Sequence, residues 1–184
     1  MRSETYMIET PRLLIRQFQE QDGQALFGYL SNPEVYRFEP GEPVSLERAI
    51  EIARKRSQTT DFWAVIQKST HQLVGHLYFK QVAPVEFLTW ELGYIFNPVY
   101  HNNGYATESA SALIQYGFKQ FGIHRVTAYC NPENIASWKV MEKIGMTREG
   151  KLKKNVFFRR DSHGLPLWTD SFVYAISRDE VEDL

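Results

Sequence analysis

The chain reads as one domain of mixed α/β architecture: a mostly antiparallel, twisted sheet flanked by helices on both faces. Three observations carry this expectation. Apolar residues recur with period two along several short segments, the mark of half-buried strands. Between residues 87 and 145 strand and helix signals alternate quickly, which requires crossovers between neighbouring strands. The flanking segments read as hairpins. The 184 residues are 43% hydrophobic and 23% charged, ordinary globular usage. A domain of ~150 residues buries roughly 68–70% of its unfolded surface and needs no staples. No linker, repeat or low-complexity stretch divides the chain. The domain is expected over residues 8–180, with 1–7 and 181–184 as terminal extensions.

The elements follow in order. Residues 12–18 form a first strand. Asp22 is placed to cap a short helix ending near Leu30, and Ser45 opens a second helix to about Ser57. Residues 62–66 and 73–79 make a hairpin that turns at His71-Gln72, and Pro84 ends it. Residues 87–96 form a long strand. Leu88, Trp90, Leu92, Tyr94 and Phe96 share one face; Thr89, Glu91, Gly93 and Ile95 share the other. Gly93 permits a bulge or a close backbone approach. After a loop over 97–104 the spacing becomes helical, with Ala106, Ala110, Leu113, Gly117 and Phe121 on one side. Residues 125–130 form a strand, Asn131-Pro132 turn it, and Asn134 caps a helix burying Ala136, Val140 and Ile144. Gly145 ends that helix. Residues 146–151, 155–159 and 168–176 close the sheet.

Composition excludes several classes. The formal net charge of −1 leaves no global footprint for direct nucleic-acid binding. No run approaches the ~20 apolar residues of a membrane span, and the first ten residues lack the apolar centre of a signal peptide. A cytoplasmic protein is expected. Cys130 is the single cysteine and reads as a small buried hydrophobe. No Cys/His cluster has metal-ligand spacing, so no metal is expected. Aromatics make up 14% of the chain, in keeping with a β-containing core of large side chains. Arg148, Lys151, Lys153, Lys154, Arg159 and Arg160 form a basic run that reads as a solvated face. The acidic C-terminus, Asp179 to Asp183, reads the same way.

The segment that carries chemistry runs from Ile95 to Ser111. A strand ends, an Asn/Gly loop follows, and a helix begins. The first helical turn presents free N–H groups and the positive end of the dipole. Gly104 lets the backbone close around an anion. The segment is thus either a phosphate site made of N–H groups or a plain helix start capped by Asn. His101-Asn102-Asn103-Gly104-Tyr105-Ala106 resembles the acetyl-CoA pyrophosphate loop of GNAT N-acetyltransferases, written Gln/Arg-x-x-Gly-x-Gly/Ala in that family. His101 stands for the Gln or Arg, and Asn102 for a frequent second glycine. Glu91-Leu92-Gly93-Tyr94, the segment from Tyr100 to Phe118, the opening from Ile8 to Arg16, and Asn134-Ile135-Ala136-Ser137 through Met146 are similar to the RimJ/RimL branch. The resemblance covers about residues 8 to 180 and implies a GNAT-type sheet.

It also implies direct transfer of acetyl from acetyl-CoA, as cosubstrate, to a primary amine. That amine is a protein N-terminus or a small molecule, and a homodimer is left open. The implied cofactor contacts are Ile95 and Phe96 beside the pantetheine arm, His101, Asn102, Asn103, Gly104, Tyr105, Ala106 and Thr107 around the pyrophosphate, and Asn134 and Ser137. Ser137 is the implied proton donor to the thiolate. Glu91, an acid among apolar neighbours, is either the base or a structural carboxylate. His76 is a second candidate base, although a lone strand histidine is more often structural. Some relatives carry an acid that aligns with Val156 here, so that role does not transfer. Residues 31–45, 80–88 and 159–168, with Tyr36, Phe38, Phe87 and Trp168, are the expected acceptor walls. A non-catalytic acyl-CoA sensor or scaffold is the alternative reading.

Overall fold

Alternation along the strands sorts the apolar side chains into two cores, one on each face of a single sheet. The computed structural model describes residues 7–182. The strands are β1 (Met7–Glu9), β2 (Leu13–Gln17), β3 (Phe62–Gln67), β4 (Gln72–Gln81), β5 (Thr89–Phe96), β6 (Arg125–Cys130), β7 (Thr147–Val156) and β8 (Thr169–Ser177). The helices are α1 (Gly23–Leu30), α2 (Leu46–Arg56), α3 (Tyr105–Gln120), α4 (Ile135–Lys143) and α5 (Arg178–Glu182). The strand order is β1-β2-β3-β4-β5-β6-β8-β7. Every neighbouring pair is antiparallel except β5 and β6, which the α3 crossover makes parallel.

The larger core lies under α3 and α4. Trp63, Leu77, Leu92 and Phe96 from the sheet meet Ala110, Leu113, Phe118 and Met141 from the helices. The smaller core lies under α1 and α2, where Leu26, Tyr29, Leu30 and Ala53 meet Ala64, Ile66 and Leu73, with Phe62 and Ile95 packed against them. His76 points into this second core. Its Nδ1 lies 2.7 Å from the Tyr29 hydroxyl, and both residues are buried. Burial, with the field of Arg56, drives the His76 pKa well below its ordinary value. His76 is therefore a neutral structural group and not a base within reach of a substrate.

Several expectations change. Met7 pairs with Arg16, so the fold takes in Met7, and α5 extends it beyond residue 180. The remaining extension residues, 1–6 and 183–184, lie outside the described residues. Asp22 sits at the start of α1, but its carboxylate accepts from the Gln19 N–H at 2.8 Å and takes the two Arg16 guanidinium nitrogens. An arginine offers two charge-assisted bonds where a cap offers one. Ser45 does cap α2, accepting the Arg48 N–H at 3.2 Å. Gly93 runs in register opposite Tyr78 with no bulge; the shift falls in β3 between Val65 and Ile66.

The helix after Asn134 packs Ile144 against the core as expected but otherwise turns a different face inward. Met141 is buried and Trp138 packs against the core, while Ala136 is exposed. A large side chain one position round from the expected stripe carries more area to bury. The two short strands expected over 146–151 and 155–159 are one strand, β7, with a register shift between Leu152 and Val156. Lys154 takes φ 48° there, and its N–H is held by the Asp170 carboxylate at 2.9 Å. Residues 157–159 leave the ladder, and Phe157 packs edge-on against Trp168. Lys151, Lys153 and Lys154 lie exposed on this outermost strand, where charge discourages pairing with another sheet.

Gly117 is required by packing. A Cβ there would lie 2.7 Å from Ile123 and 2.8 Å from the Phe79 ring. Gly117→Val is expected to destabilise the fold by about 1–3 kcal/mol through overpacking, read as a lowered urea midpoint with an unchanged slope. An unchanged midpoint would show that α3 does not depend on this close approach.

Candidate active site

The parallel ladder between β5 and β6 runs only from Thr89↔Arg125 to Leu92↔Ala128. Beyond it the two strands part, leaving a gap between Gly93–Phe96 and Tyr129-Cys130. The Asn97 N–H donates to the Val74 carbonyl and the Val82 N–H to the Thr89 carbonyl, each at 2.9 Å. Peptide groups alternate sides along a strand, so Ile95 is committed to its partner His76 on β4. Ile95, expected as a backbone contact, therefore spends its peptide on β4, and the peptides turned to the gap are those of Tyr94 and Phe96. The Phe96 carbonyl oxygen lies 3.1 Å from His101 Nε2.

One end of the gap leads to the start of α3. Asn102 takes φ 63° and Gly104 φ 79°, so the loop coils back on itself before the helix begins. Asn tolerates the left-handed region better than most residues, so Asn102 can hold this turn. The first bond within α3 joins the Glu108 N–H to the Gly104 carbonyl at 3.0 Å. The N–H groups of Tyr105, Ala106 and Thr107 thus point out of the helix end. Asn103 turns its amide back onto the Tyr100 and His101 carbonyls, so its side chain shapes the loop.

The loop is clamped by Arg12, a role the sequence reading did not assign. Its guanidinium donates to the Asn103 carbonyl at 3.0 Å and to Glu108 at 2.7 Å, and it lies 4.9 Å over the Tyr105 ring. Glu108 also accepts from the Thr10 hydroxyl at 2.6 Å. Burial pushes the Glu108 carboxyl up, but the Thr10 and Arg12 hydrogen bonds outweigh it and hold the pKa below the usual range. The anion stays charged at the positive end of α3.

The middle of the gap is lined by hydroxyls and a thiol. Asn134 Oδ1 caps α4 by accepting the Ser137 N–H at 3.2 Å. This sets the first turn of α4 against β5. The Tyr94 hydroxyl donates to the Ser137 carbonyl at 2.8 Å and lies 3.1 Å from Ser137 Oγ. Burial raises the Tyr94 pKa above its ordinary value, so the phenol stays protonated. Cys130 sits beside Ser137, and burial pushes its thiol up to about 11. A protonated thiol is a poor nucleophile.

The opposite face of the sheet carries two half-buried carboxyls. Glu91 lies on β5 within the closed part of the ladder, opposite Lys80. Lys80 is ion-paired with Asp61 at 3.2 Å, which leaves Glu91 without an ion pair among the described residues. Burial raises its pKa. Glu39 falls within the expected acceptor wall of residues 31–45. It lies in the segment between α1 and α2, and burial raises its pKa to about 7. A glutamate beside Pro40 gives no periodic signal, which is why sequence pattern passed over it. Of the expected aromatic walls, Tyr36 is buried and donates to the Leu30 carbonyl at 2.9 Å. Phe38 is half-buried, and Phe87 and Trp168 are exposed.

A family model described as an acetyltransferase (GNAT) domain matches residues 12–147. The chain is 39% identical over 174 residues to the "Uncharacterized N-acetyltransferase YnaD" of Bacillus subtilis, covering 94% of this chain and 98% of that one. Among solved structures it superposes on a GNAT-family acetyltransferase from Bacillus anthracis with a TM-score of 0.85 and 38% identity, covering 95% of this chain and 99% of that one. It matches a ribosomal-protein-S5-alanine acetyltransferase from Vibrio fischeri with a TM-score of 0.80 and 19% identity, covering 95% and 97%; at that identity the likeness is one of fold. A matching domain over most of the core and a relative alike from end to end place this chain in the GNAT family, as an N-acetyltransferase.

Proposed function

We propose that the protein transfers acetyl from acetyl-CoA to a primary amine, either the N-terminal amine of a protein or a small-molecule amine. One observation carries the reading. A single gap in the sheet joins an N–H-rich helix start at one end to a hydroxyl pair in its middle. Acetyl-CoA supplies the thioester when bound. The chain's part is to hold it and to manage protons.

The residues suit that ligand. The N–H groups of His101 through Thr107 and the positive end of α3 suit a pyrophosphate. The peptides of Tyr94 and Phe96 offer strand-like hydrogen bonds to the amides of the pantetheine arm. Asn134 spends its oxygen on the α4 cap, and its amide nitrogen, without a partner among the described residues, faces outward as a donor. The Ser137 hydroxyl and, once its proton turns away from the Ser137 carbonyl it meets at 2.8 Å, the Tyr94 hydroxyl are the donors this reading offers to the departing thiolate. Tyr94 serves by hydrogen bonding, since its raised pKa favours a held proton. Glu91 and Glu39 give the acceptor side a negative field that attracts an ammonium ion.

Calorimetric titration with acetyl-CoA is expected to show saturable binding that Gly104→Glu abolishes. That change strains a φ of 79° and sets a carboxylate against the phosphates. Arg12→Ala should weaken binding several-fold by releasing the loop. Absence of binding to the unaltered protein at millimolar acetyl-CoA would sink the proposal.

Tyr94→Phe is expected to lower kcat on the order of 10²-fold with little change in KM for acetyl-CoA, because the donor acts on charge that develops during reaction. Ser137→Ala should lower kcat less, since the Tyr94 hydroxyl remains. Steady-state rates measured by thiol release decide this. Unchanged kcat in the doubly substituted protein would remove both hydroxyls from the mechanism.

A further inference from the structure

We infer that Arg56 recognises a carboxylate on the acceptor, so that the amine acetylated here belongs to a molecule with an acid group roughly 10 Å from its nitrogen. The inference rests on the transferase reading and names the acceptor class within it.

Arg56 is the last residue of α2. Its guanidinium lies between two rings, 4.2 Å over Phe62 and 5.2 Å over Phe18. Its Nη1 is closed off from water and has no partner. The rest of the guanidinium makes no hydrogen bond or ion pair among the described residues. A cation held this way is costly for folding, and ring stacking offsets only part of the cost.

The groups around Arg56 do not neutralise it. The Tyr29 hydroxyl is spent on His76 and the Tyr36 hydroxyl on the Leu30 carbonyl. Burial raises the pKa of both phenols, so both stay uncharged. The neighbouring acids are taken: Glu51 on α2 by Arg48 and Lys55, Asp22 by Arg16, and Asp61 by Lys80. Burial lowers the Arg56 pKa, yet an arginine keeps its proton. A charge that the fold leaves unanswered suits an anion that arrives from outside.

A route leads from this cation to the gap. Phe62 on β3 pairs with Tyr78 on β4, and Tyr78 pairs with Gly93 on β5. The Phe62 and Tyr78 rings lie 5.3 Å apart. Gly93 is the first residue of β5 beyond its ladder with β6, so the row ends at the gap. A Cβ on Gly93 would meet nothing nearer than Tyr78, at 3.5 Å. Packing does not require glycine there, and the bare backbone leaves the space above Tyr78 open. Arg56, Phe62, Tyr78 and Gly93 are each partly exposed, while His76 beside them is buried. They form an open strip with a cation at one end, rings in the middle and the gap at the other end.

The strip sets the shape of its occupant. Two strand spacings of ~4.8 Å separate Phe62 from Gly93, which fixes the span between acid and amine. A flat apolar body between the two lies over the rings. The planar fork of the guanidinium takes carboxylate oxygens in pairs. Glu91, on the same face of β5 two residues from Gly93, supplies negative charge at the amine's end.

The test uses two amines that differ only in the acid, 2-phenylethylamine and 4-(2-aminoethyl)benzoate, with acetyl-CoA and thiol release as the readout. The unaltered protein is expected to favour the acid by ~10- to 10²-fold in kcat/KM, as a charge-assisted pair does. Arg56→Met should lose that preference. Arg56→Lys keeps the charge without the fork and should retain part of it. Calorimetric titration of 4-(2-aminoethyl)benzoate into protein saturated with CoA reads the same contact without turnover, and Arg56→Met should weaken it by the same factor.

Urea unfolding separates this role from a structural one. Arg56→Met puts an apolar side chain of similar length in place of an unanswered charge, so its midpoint should equal or exceed that of the unaltered protein. Equal kcat/KM for the two amines, or an acid preference that Arg56→Met keeps, overturns the assignment and leaves the transferase reading standing. A lowered midpoint in Arg56→Met with undiminished binding of the acid assigns Arg56 to the core instead. Acid binding that depends on Arg56, with neither amine acetylated, keeps the carboxylate site and overturns the transferase reading. Neither binding nor acetylation overturns both.

Discussion

Every backbone N–H and C=O inside a folded chain must find a partner, and the parting of β5 from β6 after Leu92 breaks that rule on purpose. The break lies in the middle of the sheet, where a central strand is ordinarily bonded on both sides. It survives because the rest of the structure holds its two edges independently. β5 stays bonded to β4 along its whole length, and β6 to β8. The gap is therefore a rigid slot rather than a frayed edge, and its open peptides face inward, where an edge-to-edge neighbour cannot reach them.

The slot explains the arrangement of the helices around it. α3 begins where β5 has carried the chain past the slot, so its N–H groups sit at one end. α4 is pinned by the Asn134 cap, which brings Ser137 to Tyr94. The segment between α1 and α2 is fixed by Tyr36 and Arg159 on the other face. The slot opens between two cores, one on each face of the sheet, and disturbs neither.

Much of this was legible in the sequence. The period-two alternation from Trp90 to Phe96 placed Tyr94 on the face it shares with Leu92, and the helical spacing after Tyr105 found α3. The resemblance of residues 101–106 pointed to a coiled loop and a helix start, and both are there, because loop geometry is local and is written in neighbouring residues. What the sequence hid was long-range. Asp22 looked like a cap until Arg16 claimed it. The α4 stripe turned on whether Trp138 or Ala136 faced inward, which only the sheet opposite decides. Val156 and Leu152 share one strand because Lys153 and Lys154 are absorbed by a distortion held at Asp170. Arg12 and Glu108 stand 96 residues apart, and no periodicity joins them.

Tyr94 and Glu39 show how one physical cause acts on two kinds of acid. Removal from water disfavours the charged form of both. For a phenol, whose ordinary pKa already lies well above neutrality, the shift secures the proton and makes a lasting hydrogen-bond donor. For a carboxyl, whose ordinary pKa lies well below, the same shift brings the group to about 7, where it can both accept a proton and let it go.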